Sequence, residues 1–315
     1  MCPPFKKKPP SDFAVLGSCR GFILLHRHPH FLVVWNPLTG FSKRISYSHG
    51  VHRRMFYGFR LPYGFRLPYS ARLYGFGYDA SRDDYLVVVA WIEWERRDHL
   101  DCLSLRTNSW INLDVALPES LRVFEYPSCG LFLNGAIHWV PFPVKAYSDA
   151  ILIFDLKERT FSTISAPEHL PCSYPGLALL GGCLALYYYN NDSDKTEIWV
   201  MKEYKVHSSW TLYQIPCGNF RPLCLSNNGD IIGEQFILDK EEKKKFLIYN
   251  VGGQLLPRVK YPCFVHNISV TDAMYTESLL TLPSDIKDNK KKKRKTNIKF
   301  TIKFSITKDP NKERR

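Results

Sequence analysis

Short apolar runs, separated by clusters of Gly, Pro, Asn and Asp, recur along the chain from Phe22 to Leu282. "GFILL", "FLVVW", "YLVVVAWIEW", "HLDCLSL", "LFLNGAIHWV", "AILIFDL", "LALYYY", "EIWVMKEY", "DIIGEQFIL" and "KFLIYNV" are rich in branched and aromatic side chains. Such residues suit the pleated surface of a strand, and the punctuating residues suit turns. Apolar positions returning every three or four residues, the mark of a helix, are hard to find. The pattern predicts an all-β protein.

A longer period lies over the short one. "VVWNPLTGFSK", "CLSLRTNSWINL", "LIFDLKERTFSTI", "IWVMKEYKVHSSWTLYQI" and "FLIYNVGGQLLPRV" each read as strand, polar turn, strand, and are anchored at Trp35, Leu103, Phe154, Trp199 and Tyr249. The intervals are 68, 51, 45 and 50 residues. Three of them match the roughly 40 to 50 residues of a four-stranded propeller blade. A pair of sandwiches would need a linker in the middle, and none is visible.

The long interval holds "YGFRLPYGFRLPY", Tyr57 to Tyr69, one hexapeptide written twice and begun again. Two copies at a six-residue period cannot stack into a solenoid, so the segment reads as an insertion within one blade. It offers Tyr57, Arg60, Tyr63, Arg66, Tyr69 and Arg72 in a surface loop. Tyr and Arg are enriched at binding hot spots, which makes this a candidate target-binding loop for an acidic or phosphorylated partner. A neutral duplication is the competing reading, because loops accept length cheaply.

Charge changes the picture less than its total suggests. The formal net charge is +13 over 315 residues. From Lys287 to Arg315 there are 13 Lys and Arg against 3 acids, Lys6 to Lys8 add three more cations, and the rest is formally neutral. A basic nucleic-acid-binding core is therefore not indicated, and nucleic acid could be met only through the tail. The run Lys290, Lys291, Lys292, Lys293, Arg294, Lys295 has the density of a nuclear-import signal. In "NIKFTIKFSIT", which follows, apolar and polar residues alternate as in an amphipathic strand. Nine scattered cysteines without a C-x-x-C pair, and no apolar leader in "MCPPFKKKPPSDF", point to a reduced protein of cytoplasm or nucleus. The charge-free run Leu170 to Asn191 is interrupted by prolines and by Gly181-Gly182, so it reads as two strands about a turn, not a membrane span.

Taken in order, "VLGSCRGFILL", "VVWNPLTG", "YGFGYDASRDDYLVV", "LRTNSWINL", "LFLNGAIHWV", "ILIFDLKERTFSTISAPE", "LALLGGCLALYYY", "EIWVMKEYKVHSSW" and "YTESLLTL" resemble the F-box-associated domain of plant F-box/kelch-repeat proteins. The resemblance covers about Asp12 to Leu282. It implies a kelch-like β-propeller that serves as the substrate-binding half of a receptor in Skp-cullin-F-box (SCF) ubiquitin ligases. It also implies structural roles for Gly17, Cys19 and Gly21; Trp35, Asn36 and Pro37; Gly77, Tyr78 and Asp79; Trp110; Gly135, His138 and Trp139; Asp155; and Trp199 and Met201. Only a dozen residues precede "FAVLGSCRG", too few for the family's three-helix F-box. Skp adaptor and cullin are thus expected as partners only if an F-box is supplied elsewhere.

No chemistry stands out against this reading. "GSCRG" has the outline of a hydrolase elbow around Cys19, but an elbow leads into a helix and "FILL" reads as a strand, so the glycines read as a tight turn. His26, His28 and His30 alternate in "HRHPH", yet Pro29 interrupts the strand and no carboxylate or Cys stands beside them, which favours a solvated turn over a metal site. His138, on an apolar strand beside Trp139, reads as a hydrogen-bonded core residue. Asp79, Asp83 and Asp84 read as turn caps, and Trp35, Trp110, Phe161 and Trp210 as inter-blade packing.

The expectation is therefore a propeller of about five or six blades over residues 12–282, its closure left open, between tails at 1–11 and 283–315, the second basic and disordered. It has no cofactor, metal or catalytic residue, no membrane segment, and an unknown target protein as partner. A nuclear nucleic-acid-associated protein using its tail is the alternative, and a propeller enzyme the third reading, since propellers also host enzymes.

Overall fold

The computed structural model describes residues 13–27, 31–47, 59–60, 66–67, 71–92, 98–113, 118, 128–140, 151–167, 175–236, 244–256, 278–280 and 282. Four antiparallel strands form the first sheet: β1 (Phe13–Cys19), β2 (Phe22–Arg27), β3 (Phe31–Trp35) and β4 (Ser42–Ser46). A small hairpin follows, β5 (Phe59–Arg60) with β6 (Arg66–Leu67). The second sheet is β7 (Ala71–Asp79), β8 (Asp84–Ile92), β9 (Asp98–Ser104) and β10 (Ser109–Leu113), with β11 (Ser128–Cys129) running parallel beside β7.

The third sheet is β12 (Leu131–Leu133), β13 (Ala136–Trp139), β14 (Ile151–Asp155) and β15 (Phe161–Ile164). The fourth is β16 (Gly176–Leu180), β17 (Cys183–Asn190), β18 (Lys195–Met201) and β19 (Trp210–Ile215). The fifth is β20 (Phe220–Leu225), β21 (Ile231–Phe236) and β22 (Lys244–Tyr249), with Leu255 bridging back to Tyr249. First strands of successive sheets lie side by side, β1 by β7, β7 by β12, β12 by β16 and β16 by β20, so they surround the axis of a five-bladed β-propeller. Among the described residues the only helical element is a 3-10 turn, His207–Ser209.

The apolar runs are continuous where a strand is buried on both faces. Along β8, Tyr85, Val87, Val89 and Trp91 enter the seam with the first blade, while Leu86, Val88 and Ala90 enter the seam with the third. In β14, Leu152 and Phe154 face the second blade, and Ile151 and Ile153 the fourth. Side chains alternate across a strand, so one run of Val and Ile supplies two seams at once. Each fully buried aliphatic residue contributes roughly 1.5–3 kcal/mol. The fourth and fifth blades meet the same way, with Ala185, Ile198 and Val200 against Phe220, Ile231 and Leu247.

Near the axis the blades converge too closely for side chains at every position. A Cβ on Gly75 would fall 2.7 Å from Ile137 Cδ1, and one on Gly130 would fall 2.3 Å from Ile137 Cγ2. The Gly181-Gly182 pair turns β16 into β17, with φ of +59° and +78°. The doubled hexapeptide lies between β4, the last strand of the first blade, and β7, the first strand of the second. It belongs to a connection between blades and is not an insertion within one, because both flanking sheets are complete without it.

Candidate functional site

Alternating hairpins give the propeller two unlike faces. On one, neighbouring strands are joined by tight turns: Arg20-Gly21, Asp79–Asp83, Asn134-Gly135 and Gly181-Gly182, together with the turns that close β3–β4, β9–β10 and β14–β15. The opposite face receives the connections from one blade to the next, including residues 47–70, 114–127 and 165–175. Loops of that kind, held by a rigid scaffold, are where binding residues concentrate.

The tight-turn face is held by side chains that bond backbone. Arg20 and Gly21 both have positive φ (47° and 86°), the geometry of a type I′ hairpin. Cys19, just before it, is 4% exposed, and burial pushes its thiol up to about 12 despite nearby Arg20. An activated nucleophile needs the reverse, a stabilised thiolate. Gly17 packs on Phe76 Cβ, and Arg20 lies 3.9 Å over the Tyr78 ring, whose hydroxyl donates to Asp83 at 2.6 Å.

Asn36 is fully buried at the end of β3, between Trp35 and Pro37, and works in two directions. Its Oδ1 accepts from the amides of Leu38 (3.0 Å) and Thr39 (3.3 Å), while its Nδ2 donates to the carbonyls of Ser278 (2.8 Å) and Leu280 (3.4 Å). A Cβ on Gly21 would come within 2.2 Å of Ser278 Cβ, and Leu282 is buried in the seam of the first two blades. Residues 278–280 and Leu282 are thus clasped onto the first blade, far from it in sequence. This clasp explains why "GSCRG", "WNP" and "SLLTL" occur in one sequence, a link invisible from their spacing.

Asp79, 1% exposed, accepts from Ser81 N, Ser81 Oγ and Arg82, and Arg159 of the third blade reaches it at 3.5 Å. Burial alone would raise its carboxyl, but the Ser81 and Arg82 hydrogen bonds outweigh this and hold it below its ordinary value. Gly77, two residues earlier, admits Leu156 and Phe132. Asp84 accepts from Ser104 Oγ and Arg106 N, and Asp155 caps Lys157 and Glu158 N in the turn that follows β14. Asn134-Gly135 turns β12 into β13 with positive φ at both residues.

His138 is fully buried between the third and fourth blades. Its Nδ1–H donates to Leu131 O at 3.1 Å and its Nε2 accepts from Tyr204 Oη–H at 2.8 Å, an arrangement that requires the neutral ring. Burial lowers its pKa to about 4 against the Leu131 bond, with Lys205 adding to the lowering. Trp139 Nε1 donates to Tyr74 O, Trp199 Nε1 to Tyr188 Oη, and Met201 Sδ accepts from Lys205 N. Trp35, Trp110, Phe161 and Trp210 all pack against hydrophobic clusters, and Trp110 also donates to Ser46 O.

His26 is 1% exposed in β2, its ring 6.0 Å from that of Tyr47, so it is a core residue and not part of a solvated turn. His28 and His30 lie outside the described residues. Among the described residues no three His, Cys, Asp or Glu side chains gather as metal ligands, and no helix is long and apolar enough to cross a membrane.

In the loop candidate the two hexapeptide copies pair with each other: Phe59 is opposite Leu67 and Arg60 is opposite Arg66. Arg72 is on β7, and Tyr57, Tyr63 and Tyr69, like Lys290–Lys295, lie outside the described residues. A feature the sequence did not announce is a cleft of about 360 Å³ where Leu212, Tyr213 and Pro216 of the fourth blade face Val251–Gly253 of the fifth.

Comparison with known proteins gives these features a family context. The F-box associated beta propeller domain matches residues 3–279. The F-box protein CPR1 of Arabidopsis thaliana is 30% identical over 231 residues, covering 66% of this chain and 52% of that protein. An F-box/kelch-repeat protein of Arabidopsis thaliana is 27% identical over 282 residues, covering 87% of this chain and 70% of its own length. A further Arabidopsis thaliana F-box protein, 28% identical over 223 residues, is again matched over 52% of its length. The chain therefore spans about half to two thirds of the curated relatives it matches.

Proposed function

The chain belongs to the F-box associated beta-propeller family, and from that membership we propose that it recognises a target protein as the substrate-binding part of an SCF-type ubiquitin ligase. What carries the reading is coextension: the family match over residues 3–279 takes in every blade and the clasp's start at Ser278. A propeller of five packed sheets presenting its inter-blade connections on one face is suited to hold a partner, and fold alone would not say which chemistry follows. The relatives are F-box proteins by name, which supports the ligase context. Skp adaptor and cullin join through an F-box, and the described strands of this chain do not provide one. No catalytic role is proposed: the thiol at the only elbow-like motif is buried and raised, opposite to what a nucleophile needs.

The test is a pull-down of the full chain from its native cell extract, with mass spectrometry of the partners. A recovered target protein is the expected result, and Skp adaptor and cullin beside it mean that an F-box is supplied elsewhere. A target without them points to a stand-alone binder, and recovery of neither overturns the proposal. Salt-sensitive RNA or DNA binding that disappears on deleting Lys287–Arg315 would favour the nucleic-acid reading instead. Residence in cytoplasm and nucleus is part of the proposal, with Lys290–Lys295 as import signal; deleting those six residues is expected to deplete the nuclear pool.

A further inference from the structure

The cleft between the fourth and fifth blades does not end where its larger part does. That part, of about 360 Å³, lies between β19 and the turn that follows β22. A smaller part, of about 30 Å³, extends to Gly229 in the turn between β20 and β21. Tyr213 and Val251 line both, so the two parts make one groove along the outer strand of the fourth blade.

Local sequence explains how the groove is built. β19 is the outermost strand of the fourth sheet, and the wall facing it is a turn, not another strand. Asn250 fixes that turn, its Oδ1 accepting from Gly252 N (3.0 Å) and Gln254 N (2.9 Å), and Gly253 takes a φ of +76°. A Cβ on Gly253 would fall 2.7 Å from Gln214 O, so glycine lets the turn close on β19 at this point. Leu212 (37% exposed) and Val251 (64% exposed) show apolar surface there, and buried Leu180 and Ile231 line the smaller part. A wall already held by its own hydrogen bonds has little ordering left to lose when a partner binds.

The charge of the groove has one sign. Lys195 lines the larger part and Lys202 the smaller, and no Asp or Glu lines either. Lys195 Nζ donates to Gln214 Oε1 at 3.5 Å, and Lys202 Nζ lies 5.1 Å from the centre of the Tyr213 ring. The ion pairs among the described residues join Arg82 and Arg159 to Asp79, Lys157 to Glu158 and Arg221 to Glu234, and include neither lysine. Of the acids nearest in sequence, Asp194 accepts from the Tyr189 hydroxyl and Asp230 from that of Ser226, while Glu203 is exposed and lines neither part. Lys195 opens β18 and Lys202 follows its last residue, Met201. An occupant of the groove therefore meets apolar surface in the middle and a cation toward each end.

We propose that this groove docks a short extended segment of the target protein, apolar at its centre and flanked on both sides by Asp or Glu. The inference rests on the target-recognition reading above and names a surface and a partner chemistry for it. Apolar side chains of the segment cover Leu212, Tyr213 and Val251, removing that surface from water, while its acids meet Lys195 and Lys202. A nucleic acid fits poorly, because two lysines neutralise few phosphates.

The experiment measures binding of the full chain to a fluorescent peptide with a Leu- and Val-containing centre and two Asp at each end. Beside it stand the same peptide with Asn for Asp, one with Ser for the apolar centre, and a single-stranded oligonucleotide. The Asp-flanked apolar peptide is expected to bind in preference to all three and to weaken with salt. Val251→Asp, at an exposed position, is expected to weaken it by about tenfold, since it removes apolar contact and sets like charges together. Lys195→Gln combined with Lys202→Gln is expected to weaken it by about fivefold, at the scale of two exposed ion pairs. Replacing Lys290–Lys295 by Gln is expected to change it little, and thermal melts check that every variant is folded. No binding, equal binding of the Asn or Ser peptide, tighter binding of the oligonucleotide, or full affinity in the folded Val251→Asp variant would each overturn the proposal. So would self-association abolished by Val251→Asp, which would make a second copy the occupant. If the peptide fails while the full chain still retrieves a target, the groove falls and the recognition reading stands; peptide binding with no target retrieved keeps the groove and overturns that reading.

Discussion

The two faces of the propeller are made from the same five sheets, yet one is locked by short turns and the other carries the longer connections between blades. On the tight-turn face most hairpins close within a few residues, and the buried Asn36, Asp79 and Asp84 and the half-buried Asp155 accept from turn amides. On the opposite face the chain crosses between blades by longer segments, among them residues 47–70 with the doubled hexapeptide. The difference teaches where sequence change is costly: a turn whose backbone groups are satisfied by one specific side chain has no alternative partner, while the closure cost of a long connection changes little with its length.

The sharpest way to break the locked face is at the clasp. Gly21→Ala puts a side chain at φ 86° and against Ser278, and is expected to cost about 3 kcal/mol in a urea melt, left-handed strain plus displacement of the clasped segment. A variant as stable as the parent would show that the contact with Ser278 does not hold the clasp. Asp79→Ala follows at about 2 kcal/mol, since Ser81 N and the Arg159 guanidinium lose their acceptor between the second and third blades. Because the folded carboxyl is held below its ordinary value, this contribution is present above the unfolded pKa and is lost as pH falls through the folded one.

His138 gives a pH signature of its own. Its folded pKa of about 4 lies below the ordinary 6.5, so between those values the unfolded chain binds the proton that the folded chain refuses. Stability is therefore expected to fall as pH drops from 6.5 toward 4, by something on the order of 2 kcal/mol, and then to level off. His138→Gln is expected to remove that slope; an unchanged slope would place the titration elsewhere. The smallest effect belongs to the open face. Deleting Tyr63–Pro68 leaves one hexapeptide copy and shortens the 47–70 connection by six residues, a closure change of about 0.3 kcal/mol. A loss of 2 kcal/mol or more would mean that the duplication is part of the scaffold.

Much of the ring was legible before any coordinates. The anchors Trp35, Leu103, Phe154, Trp199 and Tyr249 fall in β3, β9, β14, β18 and β22, the third strand of each successive sheet. The five anchors fit the five blades observed where five or six were expected, whereas the long first interval, read as an insertion within one blade, is a connection between two. The turns were legible as well, because Gly181-Gly182, Asn134-Gly135 and the Asp79–Asp84 stretch are written in residues that tolerate positive φ or cap amides. His26 was misread: Pro29 suggested a solvated turn, but β2 continues through His26 and carries it into the core.

By itself the sequence determined the class of fold, the blade period and the turns, since alternation, strand length and backbone tolerance are local properties that neighbouring residues carry. Only the tertiary structure decided which distant groups meet. Asn36 finds Ser278 across most of the chain, His138 finds Tyr204 across a blade seam, and Arg159 finds Asp79 from the next sheet. It also paired the two copies of the hexapeptide in one small hairpin. Such pairings depend on how sheets pack around an axis, and no local pattern encodes that geometry.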